Sequence, residues 1–259
     1  MEAATAAVGE GLRAIIAPHA AYQYSGPTAG WAYINVDADQ YSRVFVLGPS
    51  HHAYLETAAL TTMDWYATPI GNLRVDTSTV DELYQTGEFS WMGRKTDEAE
   101  HSLEMQMPFL RKVFGRKDIG IVPIMIDNLS KESEKRYGEL LAPYLGDPET
   151  LFVISSDFCH WGERFDYTPQ NTPDKADTVE AIDKGGMAKI ANQEADEFFD
   201  YCVETGATIC GRHPIGVLLQ ALEANNSIET TTNFVQYNQN LITVDNSSVS
   251  YASSITFLN

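Results

Sequence analysis

Short, continuous apolar runs alternate along this chain with stretches in which apolar residues recur every three or four positions. The runs "LRAIIA" (12–17), "RVFVLG" (43–48), "IGIVPIMI" (119–126) and "TLFVISS" (150–156) predict buried strands. Between them the pattern predicts helices over 25–36, opened by Ser25 with Pro27 in its first turn, and over 77–87, capped by Thr77 or Ser78 and stopped by Gly87. Residues 98–115 also read as helical, with Pro108 kinking the helix or starting a second one. Further helices are expected over 130–145, 179–191, 194–204 and 214–225, the last with Pro214 at its start. Residues 65–76 carry the Gly-Asn turn of a hairpin, while 230–238 and 249–258 alternate as half-exposed strands. Continuous apolar strands separated by helices imply an α/β fold. Its central sheet would be largely parallel or mixed and covered by helices on both faces.

No repeat or low-complexity tract interrupts this pattern, and residues 1–259 read as a single domain. The longest irregular stretch, Trp161 to Asp177, reads as a loop, and loops of that length inside compact domains often line binding sites. An apolar share of 44% supports a sizeable core. No window reaches the ~18 uninterrupted apolar residues of a membrane span. The first residues, "MEAATAAVGEGLRAI", show no signal-peptide pattern. The expected location is the cytoplasm, with the nucleus as second candidate.

Charge narrows the function classes. Acidic residues outnumber basic ones 36 to 17, for a formal charge of −19, which opposes binding to nucleic acid or anionic membrane. Three cysteines at irregular spacing, Cys159, Cys202 and Cys210, form no disulfide framework and suit a reducing compartment.

The candidate chemistry gathers where predicted strands end. His19 follows the first strand, His51 and His52 the second, and Asp157, Cys159 and His160 the fourth. In open α/β sheets ligands bind beyond the carboxyl ends of the strands, so these groups can face one pocket. "EHSLEM" sets His101 and Glu104 three apart on one helical face, as direct or supporting groups. "TICGRHPIG" sets Cys210, Arg212 and His213 at a helix entrance, where free N–H groups favour anions. All six histidines fall in these segments. His52 is expected to support its neighbour, because adjacent side chains on extended backbone point apart. His213 is expected to be structural, and Asp157 either caps a turn or orients an imidazole. Neutral imidazoles with a carboxylate or thiolate suit iron, copper or zinc, and a spare histidine can move protons. There is no GxGxxG, P-loop or G-x-S-x-G, so nucleotide cofactors and a serine nucleophile find no support. Composition and spacing end at an α/β protein with a histidine-rich metal or acid–base pocket.

The segments "RAIIAPHA.Y.Y.G", "LGPSHH", "TPIGNLRVD", "DEAEHSLEMQMPFL", "LFVISSDFCHWG.RF.Y", "IDKGGM", "TICGRHPIGVLL" and "SSVSYA" resemble the Memo family, its eukaryotic members in particular. That family's fold is similar to class III extradiol dioxygenases, in which two histidines and a glutamate hold non-haem iron. The resemblance implies that His19, His51 and Cys210 are metal ligands, that Asp157 and His160 line the pocket, and that His160 is its acid/base. His52, His101, Glu104, Arg212 and His213 would surround them. Cys210 stands in the glutamate's place, which turns the expectation from ring cleavage towards redox chemistry at iron or copper, with zinc the lesser candidate. A zinc ion with an open position would instead suit hydrolysis. The resemblance also implies an alternative, a non-catalytic signalling adaptor linked to cell motility that binds phosphotyrosine peptides in the same pocket. Two departures from the family pattern stand out. Its N-terminal "AG.WY" signature has no counterpart before the first strand, and Ala21 replaces a frequent glycine, which would be strained if that position has φ > 0.

Overall fold

The computed structural model describes residues 11–170, 173–240 and 246–259. In chain order its first half comprises β1 (Leu12–Ala17), α1 (Tyr22–Tyr33), β2 (Arg43–Pro49), β3 (Ala59–Thr61), β4 (Trp65–Tyr66), β5 (Leu73–Val75), α2 (Thr77–Gln85), β6 (Ser90–Met92), α3 (Arg94–Ala99), α4 (His101–Glu104) and α5 (Met107–Phe114). The second half comprises β7 (Gly120–Ile126), α6 (Lys131–Gly146), β8 (Thr150–Ser155), β9 (His160–Gly162), α7 (Lys175–Ala191), α8 (Ala195–Thr205), α9 (Arg212–Ala224), β10 (Thr230–Gln239) and β11 (Ser247–Leu258). No helix among the described residues is long and apolar enough to cross a membrane.

One mixed sheet runs in the order β10–β11–β1–β8–β2–β7–β3–β6. Its centre, β1–β8–β2–β7, is parallel throughout. These four strands are the continuous apolar runs, and they are buried almost without a break. Only a strand covered on both faces can keep such a run out of water. Phe45 and Phe152 face each other in register on β2 and β8 and stack at 4.7 Å. Helix α1 packs on β1, β10 and β11, whereas α6 and α9 pack on each other and on β8, with α9 also against β2. The α6–α9 crossing is close because Gly216 on α9 leaves room for a carboxylate: a Cβ there would collide with Glu134 of α6.

A parallel centre places four carboxyl ends on one edge, with Ala17 beside Ser155 and Pro49 beside Ile126. The polar residues that follow these ends therefore meet there.

Several local expectations change. Helix α1 begins at Tyr22 rather than Ser25, whose hydroxyl donates back to the Ala20 carbonyl from inside the first turn. Asp76, not Thr77 or Ser78, caps α2 by accepting the Thr79 N–H. The helical stretch at 98–115 breaks into pieces because Glu100 is extended, with φ −88° and ψ 113°, and Pro108 lies in the first turn of α5. Helix α9 starts two residues early, at Arg212. Strand β11 is buried along most of its length instead of half exposed, since it lies between β1 and β10. The short strands β3, β6 and β9 carry too few residues to show a period. Ala21 has φ −51°, so the alanine is unstrained. The N-terminal departure from the family pattern falls on residues 1–10, outside the described residues, as do residues 171 and 172 of the long loop.

Candidate metal centre

His19, two residues beyond β1, is almost fully buried at the floor of a cavity of about 600 Å³. Its backbone N–H and that of Ala20 donate to Asp157 Oδ1, at 2.9 and 3.2 Å, tying the end of β1 to the end of β8. Its ring Nδ1 lies 2.8 Å from Ser155 Oγ. That hydroxyl already gives its proton to the Ser102 carbonyl and accepts from Gln106 Nε2, so it can only accept from the imidazole. His19 is thereby held as the Nδ1–H tautomer with the Nε2 lone pair facing inward. Burial, partly opposed by Asp157 and reinforced by His51, His101 and His160, brings its pKa down to about 4. The ring is neutral at pH 7, the form a metal requires.

His51 follows the Gly48-Pro49-Ser50 turn at the end of β2. Glu100 holds it twice: the backbone N–H donates to Oε2 at 2.6 Å and ring Nδ1 to Oε1 at 2.8 Å. The Ser102 N–H completes the carboxylate's shell at 2.9 Å. Burial alone would raise the Glu100 pKa, but these donors outweigh it and hold the group at about 2. A permanent carboxylate on Nδ1 leaves Nε2 of His51 free to ligate.

Cys210, just before α9, completes the set. Its Sγ lies 3.2 Å from His19 Nε2 and accepts the Asp157 N–H at 3.2 Å. Burial and the nearby Asp157 charge raise the thiol pKa well above its ordinary value, against the pull of the surrounding hydrogen-bond donors. The sulfur is therefore a thiol until a cation replaces its proton. Gly211 keeps this approach open, because a Cβ there would lie 2.6 Å from the Ser155 carbonyl oxygen.

The ligand atoms of His19, His51 and Cys210 all lie within 4.8 Å of one another. Tetrahedral donors ~2.0–2.3 Å from an ion stand roughly 3.3–3.6 Å apart, so a pair at the 4.8 Å limit would close by about 1 Å. The donors suit the group: two imidazole nitrogens and one sulfur match iron, copper or zinc better than magnesium or calcium. His51, Glu100 and His101 form a second close group, but there the Glu100 carboxylate and His51 Nδ1 satisfy each other. That group supports His51.

His101 stacks on His51 at 4.4 Å and meets His19 edge-on at 5.4 Å. Burial and the neighbouring His51 lower its pKa. His160, which opens β9, lines the same cavity. Its ring Nδ1 lies 3.0 Å from the Thr208 carbonyl oxygen, which can only accept, so Nε2 is left as a proton acceptor. Asp157 lines the cavity with Oδ1 engaged as a staple between strand ends and Oδ2 3.9 Å from His19 Nε2. Arg212 and His213 line the same cavity.

Two expected pocket residues lie elsewhere. Glu104 is exposed and faces a separate groove with Trp65 and Tyr66, because α4 is a single turn whose inward positions are Ser102 and Leu103. His52 is exposed outside the cavity and reaches the site only through an edge-on contact with His101 at 5.8 Å. Cys159 turns away into a small cluster with Trp161 and Val179. The groups that orient the site, Glu100, Ser155, Gln106 and Thr208, escaped sequence reasoning. Only Glu100 left a signal, standing directly before His101 in "EHSLEM".

A mixed α/β sheet whose parallel centre gathers two imidazoles and a thiol at its carboxyl edge defines an α/β protein with a His/His/Cys cluster. The family described as Memo-like protein matches residues 2–255, and the chain belongs to it. Relatives include the Caenorhabditis elegans "Protein memo-1 homolog", 44% identical over 95% of this chain and 73% of that protein. "Protein MEMO1" of Xenopus laevis is 45% identical and that of Homo sapiens 43%, each over 93% of this chain and 84% of the relative. Among solved structures, the uncharacterized protein JW3007 of Escherichia coli K12 superposes with a TM-score of 0.61, covering 93% of this chain and 98% of that one. At 14% identity that likeness concerns the fold alone.

Proposed function

We propose that His19, His51 and Cys210 hold a single iron or copper ion, and that the cavity carries redox or oxygenase-like chemistry. The carrying observation is that His19, His51 and Cys210 offer ligand atoms within 4.8 Å of one another, while Nδ1 of each ring is engaged by Ser155 or Glu100 and Nε2 is left as the ligating nitrogen. When bound, the ion would supply Lewis acidity and one-electron chemistry. A sulfur donor in place of a carboxylate favours redox exchange over the oxygen activation of a 2-His-1-carboxylate set.

The chain's own residues would do the rest. His160, fixed through Nδ1 by Thr208, would take a proton from a bound molecule at Nε2. His101, with its lowered pKa, would present a neutral ring next to His51. Asp157 would keep the two strand ends, and with them His19 and Cys210, at a constant separation. Metal analysis of protein purified without added chelator tests the reading. Iron or copper near one equivalent is expected, with loss in His51→Ala and Cys210→Ser variants that still fold. Protein free of both metals, or variants that retain them, would overturn it.

A further inference from the structure

A second concavity, of about 470 Å³, lies between β4 and the helices α3 and α4. It shares no residue with the cavity of the proposed metal centre. Its wall is aromatic and its charge is one-sided. Trp65 is 56% exposed and makes no ring contact among the described residues. Tyr66 beside it is fixed, because its hydroxyl donates to Asp97. Asp97 is buried and accepts a second hydroxyl, from Thr61. Burial raises the Asp97 pKa against the pull of these two donors. Both donors are neutral, so this carboxylate meets no cation among the described residues.

Four carboxylates, Asp64, Asp97, Glu98 and Glu104, line the groove beside a single guanidinium, that of Arg94. Arg94 is already engaged by Glu98, one helical turn away, at 2.9 Å. The side chains of Asp64 and Glu104 have no hydrogen bond or ion pair among the described residues. An indole left in water beside unneutralised carboxylates is complementary to an organic cation. Of the two basic side chains arginine fits better. Its planar guanidinium sheds water more readily than an ammonium, stacks on an aromatic face and still offers N–H groups to a carboxylate. Trp65, Asp64 and Glu104 all stand exposed, so the groove is open at the surface, a form that takes a stretch of polypeptide. The net charge of −19 draws a basic segment towards it.

We propose that this groove docks an arginine-bearing segment of a partner protein, with Trp65 stacking on the guanidinium and Asp64 and Glu104 pairing with it. The inference does not rest on the metal centre.

Calorimetric titration of the full-length protein in about 0.15 M salt tests it. The probes are capped glycine peptides carrying two arginines, two lysines or two neutral citrullines, together with free arginine amide. The arginine peptide should bind, the lysine peptide about threefold or more weakly, and the citrulline peptide not measurably. Trp65→Leu removes the aromatic face but no charge, at an exposed position where folding is retained. It should weaken arginine binding about fivefold, the size of an exposed cation–π contact. Glu104→Gln should lose about threefold. Glu139→Gln makes the same change in a different groove and should stay within about twofold of the parent. An arginine peptide that does not bind, parent affinity in Trp65→Leu, or equal losses in Glu104→Gln and Glu139→Gln would overturn the proposal. The last two outcomes would reduce it to diffuse attraction by an acidic surface. Arginine amide that binds as tightly as the peptide would overturn the polypeptide as occupant in favour of a small cation.

Discussion

Glu100 is buried, accepts three N–H donors and never contacts the cavity's contents directly, so its replacement isolates the role of support. In Glu100→Gln the side chain keeps its shape but turns one oxygen into a donor. That amide must either face the His51 backbone N–H or push the His51 ring to the other tautomer, which places a proton on the ligating nitrogen. The carboxylate is held at about 2 against an ordinary 4.5. This difference corresponds to at most about 3 kcal/mol of folding stability at neutral pH. A carboxyl group held low contributes fully above pH 4.5, and the contribution disappears as pH falls through about 2. Glu100→Gln should therefore melt roughly 6–10 °C below the parent at pH 7. The gap should narrow steadily between pH 4.5 and 2, read by thermal denaturation in chelator. Metal affinity, read by competition with a chromophoric chelator, should fall by about 10–100-fold, as for other carboxylates behind a ligating histidine. A variant with the parent's metal affinity and a melting curve offset by a constant amount at every pH would refute the reasoning.

Other expectations follow from the same geometry. Cys210→Ser should lose iron or copper binding yet stay within about 1 kcal/mol of the parent in chelator, because the change conserves volume and the hydroxyl can still donate to His19 Nε2. Chemical unfolding alongside metal analysis checks both halves. Gly211→Ala should destabilise by about 1–3 kcal/mol and displace Cys210, since the new methyl meets the Ser155 carbonyl and the Ser156 side chain. Parent-like unfolding and metal content would contradict the close approach. Asp183 of α7, which accepts from the Cys159 N–H, Ser250 and Tyr237, has its pKa raised to about 6 by burial despite those bonds. A carboxyl group held high binds its proton better when folded, so its contribution falls as pH rises from 3.8 to about 6, by about 3 kcal/mol. Asp183→Asn should flatten that part of the stability profile, measured by urea unfolding at pH 4 and pH 7.

The parallel centre of the fold was legible because β1, β2, β7 and β8 are unbroken apolar runs, and only strands covered on both faces tolerate that pattern. The short strands β3, β6 and β9 were not, since two or three residues show no period. The burial of β11 was hidden for a different reason: its serines read as exposed, while its place between β1 and β10 comes from long-range pairing. The convergence of His19, His51 and His160 could be inferred, as each follows a strand and parallel strands end on one edge.

Residue types and strand ends thus determined that His19, His51, Asp157 and His160 share the cavity, though not that His52 and Glu104 lie outside it. Tertiary structure alone decided how they are held. Glu100 rather than Glu104 supports His51, because the chain is extended at Glu100 and then makes a single helical turn. Ser155 fixes the tautomer of His19 only because Ser102 and Gln106, from distant sequence, saturate its hydroxyl. Glu134 reaches His213 across the α6–α9 contact, which no local pattern encodes. Hydrophobic period is a property of neighbouring residues, whereas the direction of a lone pair depends on every donor packed around it.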